Sequence, residues 1–226
     1  MKLRSTPYGD RAGEQLLLAM LWWIQVLQRG ICESVPLKPS PQQCVELFAD
    51  AAGAPAKLAA VLVCAGRYEY TTFDPSLEII AALDPREDAQ IMALELMAIL
   101  VALRTFGPQL RGQTVRVWSD NVGAECTLRA GTASCIDHNL LVYAVWLEAI
   151  RHGLALWFER VPSDDNIADE PSRNLFVTVE NVLGAAYVPP CGTGDLGSLG
   201  QITDASVLAE CIASAVVDGQ SRLCCF

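Results

Sequence analysis

The chain has 226 residues, 52% of them hydrophobic and 19% charged, which is enough apolar material for a buried core and excludes disordered, collagen-like and coiled-coil classes. A formal net charge of −10 excludes a protein that grips phosphates through bulk positive field, so any nucleic acid must be held by local geometry or by metal ions. Nine cysteines without a Cys-x-x-Cys pair, and only His138 and His152 as imidazoles, argue for reduced thiols and against a structural zinc site.

The first apolar run, residues 16–27 (LLLAMLWWIQVL), is shorter than the ~20 residues a membrane span needs. Leu16, Met20, Trp23 and Leu27 recur at helical spacing, so an amphipathic or buried helix is predicted there. Asp10 and Glu14 do not suit the basic leader of a signal peptide. No membrane partner is expected, and the expected location is intracellular, in cytoplasm or nucleus. Charge then divides the chain. Residues 1–40 carry five basic and three acidic groups, residues 41–173 ten and eighteen, and residues 174–226 one and five.

In the middle block, residues 45–50 (VELFAD) alternate as a half-buried strand, and 58–64 form a continuous apolar strand. Ala65-Gly66 turns that strand into 67–72, a hairpin. Asp88 opens a long helix that Gly107-Pro108 stops. Residues 114–119 (TVRVWS) make the next strand, and 121–130 a helix closed by Gly131. Asp137 is the expected cap of a helix running to His152, with Gly153 as its left-handed stop. Residues 154–161 are the last strand, and a loop leads to a helix starting near Asp169. Strands that first meander and then alternate with helices predict an α/β fold, a mixed sheet flanked by helices. Further on, Pro189-Pro190 and four glycines between 192 and 200 read as a linker, and Asp204 as the cap of a helix over 205–217.

Four carboxylates stand at informative places. Asp50 and Asp120 end two strands; if those strands are parallel neighbours, ~4.8 Å apart, both acids reach one small space, whereas singly each reads as a turn cap. Glu95 is the only polar residue among the thirteen of IMALELMAILVAL. A helix apolar all round is buried, and a buried carboxylate needs an arginine, a proton or a metal ion. Asp169 lies in residues 161–173 (VPSDDNIADEPSR), where Asn166 and Asp169 frame a helix entry with Pro171 in its first turn, the chemistry of an N-cap.

The ordered set Asp50 in FADAAG, Glu95 in LELMAI, Asp120 in Ser119-Asp120-Asn121 and Asp169 in NIADEPSR resembles the ribonuclease H domain of retroelement reverse-transcriptase polyproteins, over about residues 44–176. The resemblance implies an RNase H-like five-stranded sheet, a three-strand antiparallel meander plus two parallel strands. It divides the chain into a helical connection at 1–43, the domain at 44–176 and a C-terminal extension at 177–226. It implies hydrolysis of the RNA strand of an RNA–DNA hybrid with two magnesium or manganese ions. Asp50 would bridge both ions, Glu95 and Asp120 would hold one, and Asp169 the other. Asn121, Asn166 and Arg173 are the expected substrate contacts, and the reverse transcriptase of the same polyprotein is the expected partner. No Tyr-x-Asp-Asp polymerase box occurs in the chain. Residues 158–168 lack the histidine that many members carry, and residues 137–152 lack a basic protrusion, so slow turnover and weak substrate binding are expected. The competing expectation is a non-catalytic remnant that keeps the fold as a binding or structural module.

Overall fold

The computed structural model describes residues 44–194, with Met20, Leu21, Ile24 and Leu196 besides. The chain divides into two units, Met1–Val35 with Ile202–Phe226, and Pro36–Gln201; every element named below belongs to the second. Met20, Leu21 and Ile24 are helical. The rest of the helix expected over 16–27, the other residues of 1–43, and the helix expected over 205–217 lie outside the described residues. Among the described residues no helix is long and apolar enough to cross a membrane.

Strand β1 (Cys44–Gly53) pairs antiparallel with β2 (Ala56–Cys64), which pairs antiparallel with β3 (Arg67–Phe73). The β2–β3 turn places Ala65 at φ 50° and Gly66 at φ 75°, the left-handed pair that matches strand twist in a two-residue hairpin. A short helix α1 (Leu77–Ala81) follows, capped by Ser76, whose hydroxyl accepts from the Ile79 N–H. The long helix α2 spans Ile91–Phe106. Asp88 does accept a backbone bond, from the Gln90 N–H at 3.1 Å, but Gln90 is left-handed at φ 58° and α2 begins after it. Strand β4 (Thr114–Ser119), α3 (Val122–Ala130), α4 (Ile136–His152) and β5 (Ala155–Arg160) complete the alternation. Gly131 and Gly153 take the left-handed stop positions. Asp137 is not the cap of α4: Cys135 holds that position and Asp137 is turned toward Arg86.

The sheet order is β5-β4-β1-β2-β3, with β1–β4 and β4–β5 parallel. A sixth strand, β6 (Ala186–Tyr187), adds parallel to the outer edge of β3. The five strands expected from sequence are therefore six, and the fold does not stop at residue 176. A two-residue strand carries no alternation to read, and its pairing rests on Tyr70, whose carbonyl accepts from the Val188 N–H at 2.8 Å. Val188 and Leu196 also join the main core, so the glycine-rich stretch starts inside this unit.

Helix α2 is central. Twelve of its sixteen residues are buried, because one side packs on β1 and β2 and another on α4; that is why its sequence is apolar all round. Leu47, Leu58 and Leu62 from the sheet meet Leu94, Met97, Ile99 and Leu100 from α2. On the opposite face a smaller cluster of Val61, Tyr70, Ala168 and Val179 is joined by Phe48, Ile167 and Phe176. It pins the segment after β5, containing α5 (Asp169–Ser172) and a π-helical turn (Val177–Val182), across the sheet.

Candidate metal centre

The parallel pairing of β1 with β4 aligns Phe48 with Trp118, and two residues further along the chain stand Asp50, inside β1 since that strand runs on to Gly53, and Asp120, just past the end of β4. Helix α2, lying over these strands, carries Glu95 to the same end. Oxygens of Asp50, Glu95 and Asp120 lie within 4.8 Å of one another. The first two acids are each only 3% exposed. They form the floor of a cleft of about 490 Å³ whose walls include Ala51, Gly53, Asn121 and Arg173.

Each acid has its own support. The Ser172 hydroxyl lies 2.6 Å from Asp50 Oδ2 and 2.8 Å from the Asp169 carbonyl. Asn166 Nδ2 donates to the Ala49 carbonyl at 3.1 Å and lies 3.4 Å from Asp50 Oδ1. Glu95 receives the Ala51 N–H and the Ser119 hydroxyl, yet its Oε2 is buried without a hydrogen-bond partner. Asp120 Oδ2 accepts from the Ser163 hydroxyl at 2.6 Å.

Burial pushes the Glu95 carboxyl up to about 9, and the charges of Asp50 and Asp120 push the same way. Asp50 rises to about 6, chiefly through burial; the Ser172 hydrogen bond opposes the rise, while Asp120 and Asp169 add to it. Of the three compensations open to a buried Glu95, the arginine is not used: the buried arginine–glutamate pair joins Arg104 of α2 to Glu148 of α4, at 3.1 Å. Without a cation Glu95 keeps a proton at neutral pH; a divalent ion would take the proton's place. An unpartnered buried carboxylate oxygen beside two further carboxylates suits a hard cation with oxygen preference.

Asp169 opens α5 next to this group, close enough to raise Asp50, but it is not one of the three converging acids. Its Oδ1 is held at 2.6 Å by Arg173 Nη2. Asn121 caps α3, its Oδ1 accepting from the Ala124 N–H at 3.0 Å, and borders the cleft. Asn166 does not face a substrate. It is buried, with its amide spent on β1 and its Oδ1 accepting from the Ala168 N–H at 3.2 Å, so it positions Asp50 instead. Arg173 does stand on the cleft wall, with 62% of its side chain exposed. Ser119 and Ser172 belong to the two motifs quoted from sequence and Ser163 to neither, and no role is expected there for any of the three; the burial of Ser172 follows from long-range packing that local pattern does not encode.

A second grouping, Cys135, Asp137 and His138, also has ligand atoms within 4.8 Å of one another. Asp137 is already saturated: Arg86 binds it through both nitrogens at 2.7 Å, and the N–H groups of Asp84 and His138 add two bonds. With a guanidinium in place, this is an ion-pair latch between the α1–α2 loop and α4. No protein-family model matches the chain, and no curated protein is significantly similar to it in sequence.

Proposed function

We propose that the chain is a divalent-metal-dependent nuclease of the ribonuclease H kind, which hydrolyses the RNA strand of an RNA–DNA hybrid. One observation carries the reading: three acids far apart in sequence, from β1, α2 and the end of β4, converge, and the buried Glu95 among them lacks a basic partner. The antiparallel meander continued by two parallel strands supports it, being the arrangement that the sequence resemblance implies, and so does the order of the acids along the chain. Retroelement origin, and a reverse transcriptase as partner, rest on that resemblance alone.

Asp50, Glu95 and Asp120 are the residues that would hold magnesium or manganese, and Asp169 is the acid at hand for a second ion. Such ions supply activation of a water molecule and neutralisation of the departing oxygen in an in-line displacement at phosphorus. The chain's own residues do the rest. Ser172 and Asn166 fix the Asp50 carboxylate from two sides, and Ser163 orients Asp120. Asn121 and Arg173 place an amide and a guanidinium on the cleft wall, where a phosphate backbone would enter. In the reaction the water oxygen bonds to phosphorus as the P–O3′ bond breaks, leaving a 3′-hydroxyl and a 5′-phosphate. With a net charge of −10, affinity for the hybrid comes from the ions and these few contacts.

The test is cleavage of an end-labelled RNA–DNA hybrid in magnesium or manganese. Cleavage that needs the metal and disappears in Asp120→Asn is the expected result; metal-dependent cleavage unchanged by that substitution overturns the assignment. The pairing of Asp169 with Arg173 favours a second reading, a fold kept for binding without catalysis. A protein of that kind gains no stability from magnesium, whereas a working centre gains RT ln(1 + [L]/Kd).

A further inference from the structure

The acid expected to hold a second ion is already paired with a cation of the chain itself. Arg173 Nη2 sits 2.6 Å from Asp169 Oδ1, at i,i+4 spacing. Of the residues lining the cleft, Arg173 is the one with a basic side chain, beside Asp50, Glu95 and Asp120. The guanidinium is 62% exposed while the Asp169 carboxylate is 25% exposed, so the arginine can swing into water without opening the core, and Asp169 remains anchored through the buried Ser172 beneath it.

We infer that Arg173 is an internal countercharge that occupies the second-ion position and must be displaced before that position fills. This rests on the metal-centre reading and deepens it: the chain holds its first ion at Asp50, Glu95 and Asp120 and takes the second only when the Asp169–Arg173 pair opens. An entering phosphodiester favours that opening, one of its phosphate oxygens drawing off the guanidinium while the ion approaches Asp169. Arg173 is therefore a positioning and gating residue. An exposed pair is readily broken, and removing a positive charge beside a dication site tightens that site in proportion to the local field.

The experiment is manganese binding to the full chain without nucleic acid, read from the free-ion electron paramagnetic resonance signal. The wild-type chain is expected to bind one ion tightly and a second at least about 5-fold more weakly. Arg173→Gln is expected to tighten the second ion about 5-fold and leave the first nearly unchanged, and Arg173→Lys to keep the weak second site. Asp169→Asn is expected to remove the second ion whether or not Arg173 is present. A second ion bound equally by wild type and Arg173→Gln, or more weakly by the variant, overturns the inference while the metal centre stands, and so does a single ion in both. Absence of manganese binding in every protein overturns the metal reading and this inference with it.

Discussion

Replacing Glu95 by glutamine probes the electrostatics of the centre without catalysis. The amide is nearly isosteric and keeps an oxygen for the Ala51 N–H and the Ser119 hydroxyl. Its NH2 takes the place of an oxygen that has no hydrogen-bond partner, beside two carboxylates that can accept from it. Burial and those neighbours raise the Glu95 carboxyl from 4.5 to about 9. The unfolded chain releases this proton near 4.5 and the folded chain holds it, so the metal-free protein loses stability as pH rises through that window. The loss is about 1.4 kcal/mol for each pH unit above 4.5, or about 4 kcal/mol near pH 7.5. Relaxation and water penetration at an effective dielectric above the dry-protein value reduce this to roughly 2 kcal/mol. Glutamine carries no such cost. In EDTA near pH 7.5, Glu95→Gln is expected to melt about 4–8 °C above the parent, to match it near pH 4.5, and to gain nothing from manganese that stabilises the parent. Thermal melts at the two pH values, with EDTA or manganese, decide it. A variant less stable than the parent at both pH values, or one stabilised by manganese as much as the parent, would show that Glu95 neither carries this cost nor holds the ion.

Two other substitutions test the supports of the site. Ser172→Ala removes the hydrogen bond that holds Asp50 down, so the Asp50 carboxyl rises above about 6; manganese affinity is expected to fall about 10-fold near pH 6 and to recover as pH rises toward 8, measured by isothermal titration. Arg86→Gln leaves the buried Asp137 without its bidentate partner and is expected to destabilise the chain by about 3 kcal/mol, read by denaturant unfolding, with metal affinity unchanged. An unaltered unfolding midpoint would show that the latch contributes nothing.

The parts of the fold that follow from local physics were legible. The alternation of residues 45–50, the Ala65-Gly66 turn and the glycines after α3 and α4 each have a local cause, and each produced the expected element. The meeting of Asp50, Glu95 and Asp120 was legible too, because a lone acid in the apolar run of α2 has few explanations, and because parallel strands bring their carboxyl ends together. What sequence concealed was long-range. Asp137 has good capping chemistry, but the distant Arg86 captures it. Asn166 reads as a polar loop residue and is drawn inward by the Ala49 carbonyl and Asp50. Ser172 acquires its role only because α5 is pressed onto the sheet beneath Ala168 and Val179. The Asp169–Arg173 pair was within reach, since i,i+4 acid–base spacing is a local signal; the function suggested for both residues hid their attraction for each other. Strand β6 is too short for any periodicity to betray it.

A crystal soaked in manganese tests, without assumptions about substrate, whether the three carboxylates meet around a divalent ion. An anomalous peak within bonding distance of Asp50, Glu95 and Asp120 together is expected. A map with no peak there, and Glu95 hydrogen-bonded as an acid to its neighbours under manganese that saturates other sites, would contradict it.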